Sequence, residues 1–176
     1  MVQTQVLSLM PRTFRSVPFV ELRHFLPSQL EVISPLVDQL MRFIARFRDL
    51  DGSELNIELA FREALANAIV HGNHEDPYKR VYVVCRCTTD GDVSIMIRDE
   101  GDGFDRHTIP DPTASEDRVL THGRGISLMK TMMDDVRFEH SGTAVYMRKE
   151  SNAGHEKKEF SVTQRLANHR ARPTER

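Results

Sequence analysis

The chain lacks the marks of a membrane, secreted or nucleic-acid-binding protein. No apolar run in it approaches the roughly 20 residues that a membrane helix requires. Its opening, MVQTQVLSLMPRTFR, has too short and broken an apolar stretch for a signal peptide. The 24 Lys and Arg residues nearly balance 26 Asp and Glu, leaving a net charge of -2, so nothing in the charge demands nucleic acid. Only two cysteines occur. Cys85 and Cys87 stand two apart in VCRC; on a strand they share a face but diverge too far for an ordinary disulfide. Two thiols also fall short of the four ligands of structural zinc. Reduced residues in or beside a core are expected. There are no repeats, and the expected compartment is the cytosol.

What is present fits one soluble globular domain. The 176 residues are 39% apolar and 28% charged, and a domain near this length buries roughly 70% of its unfolded surface. Residues 1–16 show no clear period and read as an irregular lead-in. VPFVELRHFL alternates as a strand does. SQLE at 28–31 has the form of a capping box, with a helix expected to about Phe47; Pro35 either kinks it or opens a second helix capped by Ser34. Ser53 can cap the next helix, whose apolar positions Leu55, Leu59, Ala66, Ile69 and Val70 recur at helical spacing, with Gly72 as its stop. RVYVVCRCT and DVSIMIRD form a hairpin around Asp90 and Gly91, and VRFEH and TAVYMRKE form a second around Ser141 and Gly142. Between the hairpins lie a polar loop, residues 105–122, and a short helix opened by GRG. From residue 151 the chain is polar and Arg-rich, a tail or one loosely docked helix. The order predicts an α+β sandwich with helices over one sheet face.

Three stretches carry candidate chemistry. Glu63 and Asn67, four apart in REALANA, share a helix face among small alanines. An amide oxygen suits Mg²⁺, and a carboxylate one turn away can accept a proton. Alone, the pair reads more readily as an exposed polar stripe. In RDEGDGF, Asp99 at a strand end can accept a hydrogen bond from an exocyclic amine, and Gly101 and Gly103 let backbone pass close to a ligand. In HGRGISLMK, Gly123 and Gly125 precede a helix whose first N–H groups can seat phosphate, and Arg124 adds a cation. His71 and His74 lack a third metal ligand and read as a packed and a solvated residue, while Met129, Met132 and Met133 read as core.

In this order, over residues 17–150, these motifs resemble the GHKL ATPases, and within them most nearly the bacterial anti-sigma-factor serine kinases. The resemblance implies a two-layer α/β sandwich with a mixed, mostly antiparallel sheet and helices on one face. It implies that ATP and Mg²⁺ bind, Mg²⁺ at Asn67, and that Glu63 is the general base. Asp99 would bond the adenine amine with Thr143 in support, and Gly101 and Gly103 would line the adenine pocket while Glu100 and Asp102 face solvent. Gly123, Arg124 and Gly125 would close over the phosphates as the end of a lid. Its implied partners are an anti-anti-sigma-type antagonist protein, phosphorylated on serine, and a sigma factor; a homodimer is compatible, and neither membrane nor nucleic acid is involved. Only about fifty residues precede the Glu63 helix, and His24 lies in a strand-like run, so the chain departs from the histidine-kinase branch. Two alternatives stand beside the kinase: a non-enzymatic ATP-gated binding switch, and a related kinase in a phosphatase-activating cascade.

Overall fold

Alternation builds the central strands, interrupted at Val84, which is buried although it points to the other face. In Arg80–Thr88 (β3), Val81, Val83, Cys85 and Cys87 are buried, and in Val93–Arg98 (β4) so are Val93, Ile95 and Ile97. Side chains two apart share a face, so both strands present one apolar surface. A computed structural model describes residues 4–5, 17–48, 52–103 and 121–151, with side chains described at 17–48, 52–103 and 124–151. Six strands form the sheet in the order β1-β2-β3-β4-β6-β5: Thr4–Gln5 (β1), Phe19–Pro27 (β2), β3, β4, Asp135–Glu139 (β5) and Ala144–Lys149 (β6). Every pairing among the described strands is antiparallel, which corrects the expectation of a mixed sheet. The expected lead-in contributes β1, which pairs Thr4 with Leu22 and Gln5 with Glu21.

Three helices, Ile33–Ile44 (α1), Glu54–Ala66 (α2) and Thr121–Met132 (α3), share one core with the inner face of the sheet. Leu36, Val37, Leu40 and Ile44 come from α1, and Met129 from α3. From α2, the buried set is Ile57, Ala60, Phe61, Ala64 and Leu65, while Leu55 and Leu59 are exposed. Of the expected apolar face, Ile69 is buried and Val70 packs against the core, while Leu55 and Leu59 are corrected to exposed positions. The alanines let the helix lie close to the sheet, and Phe61 fills the space; burying a side chain of that size contributes about 1.5–3 kcal/mol. Cys85 and Cys87 are free, buried thiols, as expected.

The expected capping box is not formed. Ser28 is fully buried without a partner for its hydroxyl among the described residues, and a 3-10 turn at Leu30–Val32 precedes α1. Pro35 falls in the first turn of α1, where its missing N–H has no acceptor to lose. Ser34 instead accepts a hydrogen bond from Arg62 of α2 at 3.2 Å.

Arg48, just beyond α1, is 5% exposed and ties three distant segments together. Its guanidinium donates to the Gly91 carbonyl at 2.8 Å, to the Ser53 hydroxyl at 2.9 Å and to the Glu150 carbonyl at 3.0 Å. It thus fixes the start of α2 against the β3–β4 turn and the end of β6. Removing it leaves buried acceptors without their donor. Arg48→Met is expected to lower unfolding free energy by about 2–3 kcal/mol, read from urea denaturation. A loss below about 0.5 kcal/mol, the usual range for a surface change, would show the arginine to be incidental.

Candidate functional site

The helix that begins at α2 does not end where its α-helical hydrogen bonds do. From Asn67 to Gly72 it widens into a π turn, with Asn73 N–H donating to the Ala68 carbonyl at 2.9 Å. Single π turns inside α-helices recur at functional sites. Gly72 is still helical; the chain leaves the helix through His74 and Glu75, both at positive φ. The helix thus ends at Gly72 as expected, though without a left-handed glycine cap. The lack of a side chain at Gly72 serves another purpose. A Cβ there would lie 2.6 and 2.7 Å from the two carboxylate oxygens of Asp99.

Asp99 follows β4 and is 9% exposed. Its backbone N–H donates to the Thr143 carbonyl at 3.0 Å, and its Oδ1 accepts the Gly101 N–H at 2.9 Å. A Cβ on Gly101 would come within 2.7 Å of the Gly72 carbonyl carbon, so these two glycines allow turn and helix end to interlock. Gly103 is exposed, at φ +78, and lies against Ser141. Thr143 is half-buried and donates its hydroxyl to the His140 carbonyl at 3.0 Å. Asp99, Gly101, Gly103 and Thr143, all expected at one end of the site, therefore do converge.

Glu63 and Asn67 lie further back along the same helix, both half-buried and neither hydrogen-bonded through its side chain to another described residue. Of the neighbouring alanines, Ala60, Ala64 and Ala68 are turned into the core, and only Ala66 is half-exposed. Gly125 is buried where α3 crosses α2, and a Cβ on it would lie 2.6 Å from the Glu63 carboxylate carbon. The glycine-bearing segment was expected to precede its helix. Instead α3 starts at Thr121, so Gly123, Arg124 and Gly125 lie within its first turn and a half, with Arg124 exposed. The close crossing accounts for Gly125 inside a helix, where glycine otherwise costs about 1 kcal/mol relative to alanine. Of the loop expected to form the lid, residues 105–122, the part at 105–120 lies outside the described residues and Thr121 and His122 belong to α3; of the tail expected from 151, residues 152–176 lie outside them.

Two residues escaped the sequence reading. Gly72 was read as punctuation. Asn73 was not singled out, yet it is fully buried and its carboxamide spans two segments, donating to the Arg80 carbonyl at 2.9 Å and accepting the Glu100 N–H at 2.8 Å. The HGN tripeptide after a helix was the available signal, but it reads as an ordinary ending. Glu100, expected to face solvent, is exposed but also accepts the Arg80 N–H at 2.7 Å; Asp102 is exposed.

Burial pushes the Asp99 carboxyl above the ordinary aspartate value of 3.8, against the Gly101 N–H, its own N–H and the charges of Lys79 and Arg98. Between the ordinary and the raised value the folded chain binds the extra proton, so this group's contribution to stability falls as pH rises through that window. Above the window the ionised carboxylate opposes folding. Asp99→Asn is therefore expected to match the parent in acid and to exceed its stability at neutral pH, in denaturation midpoints taken from about pH 3 to 8. A variant less stable than the parent at neutral pH would contradict a strained, buried carboxylate.

The described residues hold no group of three or more His, Cys, Asp or Glu placed to bind a metal, and no helix long and apolar enough to cross a membrane. Residues 26–149 match the family model of the histidine kinase-like ATPase domain. The chain is 34% identical over 99 residues to an anti-sigma F factor of Oceanobacillus iheyensis, covering 53% of this chain and 67% of that protein. It is 38% identical over 92 residues to an anti-sigma F factor of Heyndrickxia coagulans, covering 49% and 63%. A serine-protein kinase RsbW of Bacillus subtilis is 33% identical over 104 residues, covering 55% and 64%. The matches thus take in about two thirds of these relatives' own length, slightly less in the last two. The family model spans the sheet from the end of β2 to the end of β6 together with all three helices, and the chain belongs to the histidine kinase-like (GHKL) ATPase family, in the branch that holds anti-sigma factors and serine-protein kinases.

Proposed function

We propose that this chain is an ATP-dependent protein serine kinase of the anti-sigma-factor type, which phosphorylates a serine of an antagonist protein and so regulates a sigma factor. The observation that carries the reading is one continuous helix serving both ends of a site. It bears Glu63 and Asn67 and, nine residues beyond Glu63, the Gly72 that backs Asp99. At a rise of 1.5 Å per residue the two ends lie about 13 Å apart along the axis, so one elongated nucleotide can meet both. The relatives' names, anti-sigma F factor and serine-protein kinase, favour the same reading.

Asp99 Oδ2 accepts no hydrogen bond from another described residue and is the atom available to the adenine amine. Gly101 and Gly103 flank the base, and Thr143 supports Asp99 through its backbone carbonyl. At the other end, Gly123, Arg124 and Gly125 meet the phosphates, where the first N–H groups of α3 favour anionic charge. The donor set fits Mg²⁺ rather than a metal held by protein alone: one half-buried amide oxygen at Asn67 and, among the described residues, no carboxylate cluster, which suits an ion that keeps its waters and the phosphates as ligands. When bound, Mg²⁺ would neutralise charge on the phosphates. In the transfer, the serine oxygen bonds to the γ-phosphorus as the bond to the β,γ-bridging oxygen breaks, ADP leaves, and Glu63 takes the serine proton. Positioning and charge supply most of the rate. The setting is the cytoplasm.

Replacing Asp99 with Asn trades an acceptor for a donor and removes the charge assistance, a loss of about 1.5–3 kcal/mol. ATP affinity, measured by titration on the folded variant, is expected to fall at least tenfold; unchanged affinity would remove Asp99 from the nucleotide site. Glu63→Ala is expected to keep ATP affinity while slowing phosphoserine formation on the antagonist by about 10²–10⁴. Phosphotransfer at the parental rate would deny Glu63 its role, and no transfer by the parent protein would favour an ATP-gated binding switch.

A further inference from the structure

Asp99 does not set its own position. The turn that carries it is fastened to the end of the Glu63 helix by one side chain, Asn73, which is 0% exposed. Its Oδ1 accepts the N–H of Glu100, the residue next to Asp99, at 2.8 Å, and its Nδ2 donates to the Arg80 carbonyl at 2.9 Å. The Glu100 carboxylate returns to the Arg80 N–H at 2.7 Å, closing a ring of three hydrogen bonds among residues 73, 80 and 100. Asn73 in turn is held by its own N–H on the Ala68 carbonyl, inside the π turn. The Gly72 contact allows the Asp99 carboxylate to approach the helix, but it contributes no directional bond. The carboxylate is directed at close range by the Gly101 N–H on Oδ1 at 2.9 Å, and the Asp99 N–H is held by the Thr143 carbonyl; Asn73 fixes the turn that carries Asp99 and Gly101 against the helix end.

We propose that Asn73 is a positioning residue for base recognition: through the Glu100 N–H it fixes the turn that directs the Asp99 carboxylate, and so the discrimination for the six-amino group of adenine. This rests on the assignment of Asp99 to adenine. A side chain that only supports the fold would weaken all nucleotides alike when removed. One that aims Asp99 weakens only those bearing the amine. Hydrogen bonds lose strength steeply with misalignment, so a turn that drifts forfeits the amine contact before it forfeits the pocket.

The test compares ATP with purine riboside triphosphate, which lacks the amine, by competition titration on the full chain with Mg²⁺ present. The parent is expected to prefer ATP at least tenfold, the worth of one charge-assisted hydrogen bond. Asn73→Ala is expected to bring that preference below about threefold while changing affinity for purine riboside triphosphate less than about twofold. Should this variant not fold, Asn73→Asp retains an acceptor for the Glu100 N–H and loses the donor to Arg80. It is expected to keep more than half of the parent's preference on a logarithmic scale. A parent without preference overturns the adenine assignment itself. A parent with preference, and either an Asn73→Ala that keeps it or an Asn73→Asp that loses it, overturns the positioning role alone.

Discussion

A buried carboxylate, Asp99, lies at the centre of the candidate site. Burial raises the cost of ionising Asp99, and the Gly101 N–H, its own N–H and the charges of Lys79 and Arg98 offset only part of that cost. Groups whose ionisation burial opposes cluster at functional sites. The surrounding structure accommodates Asp99 with absences: no side chain on Gly72, none on Gly101, and a helix that widens by a π turn just where it must reach under the β4 end.

The rest of the fold holds that arrangement still. The inner sheet face and the helices form one apolar cluster, and α2 lies across it with Ala60, Phe61 and Ala64 buried. Locking α2 to the sheet fixes Glu63, Asn67 and the π turn together. Arg48 and Ser53 fix its beginning; Asn73 fixes its end to β3 and to the turn after β4. The site is thereby a property of one rigid helix and of the strand end opposite, with α3 meeting it at Gly125. Rigid supports of this kind make a binding geometry precise.

Sequence made the sheet legible because its signal has a period of two. Val81, Val83, Cys85 and Cys87 fall at every second position, with the apolar Val84 the one interruption, and the turn at Asp90 and Gly91 separates β3 from β4. The helical signal was weaker. On α2 the exposed Leu55 and Leu59 outweighed the smaller buried alanines, so part of the apolar face was misplaced although the helix itself was found. Ser28 resembled a cap and is buried instead. At the site, the order of Glu63, Asn67, Asp99 and the glycines was visible, because each motif is short and local. Gly72 and Asn73 were not, since their significance arises only from contact with residues 99–101, far along the chain. A local reading assigns a glycine after a helix to termination. Only the third dimension assigns it to a carboxylate.

Base recognition at this site turns on the direction in which Asp99 presents Oδ2. A crystal structure of the chain with ADP and Mg²⁺ tests this most directly. It is predicted to show the adenine amine within about 3 Å of the Asp99 carboxylate, the base seated against Gly101, and the phosphates extending along α2 toward Asn67. A nucleotide bound with its amine facing solvent, or with its phosphates at the Asp99 end, would contradict it.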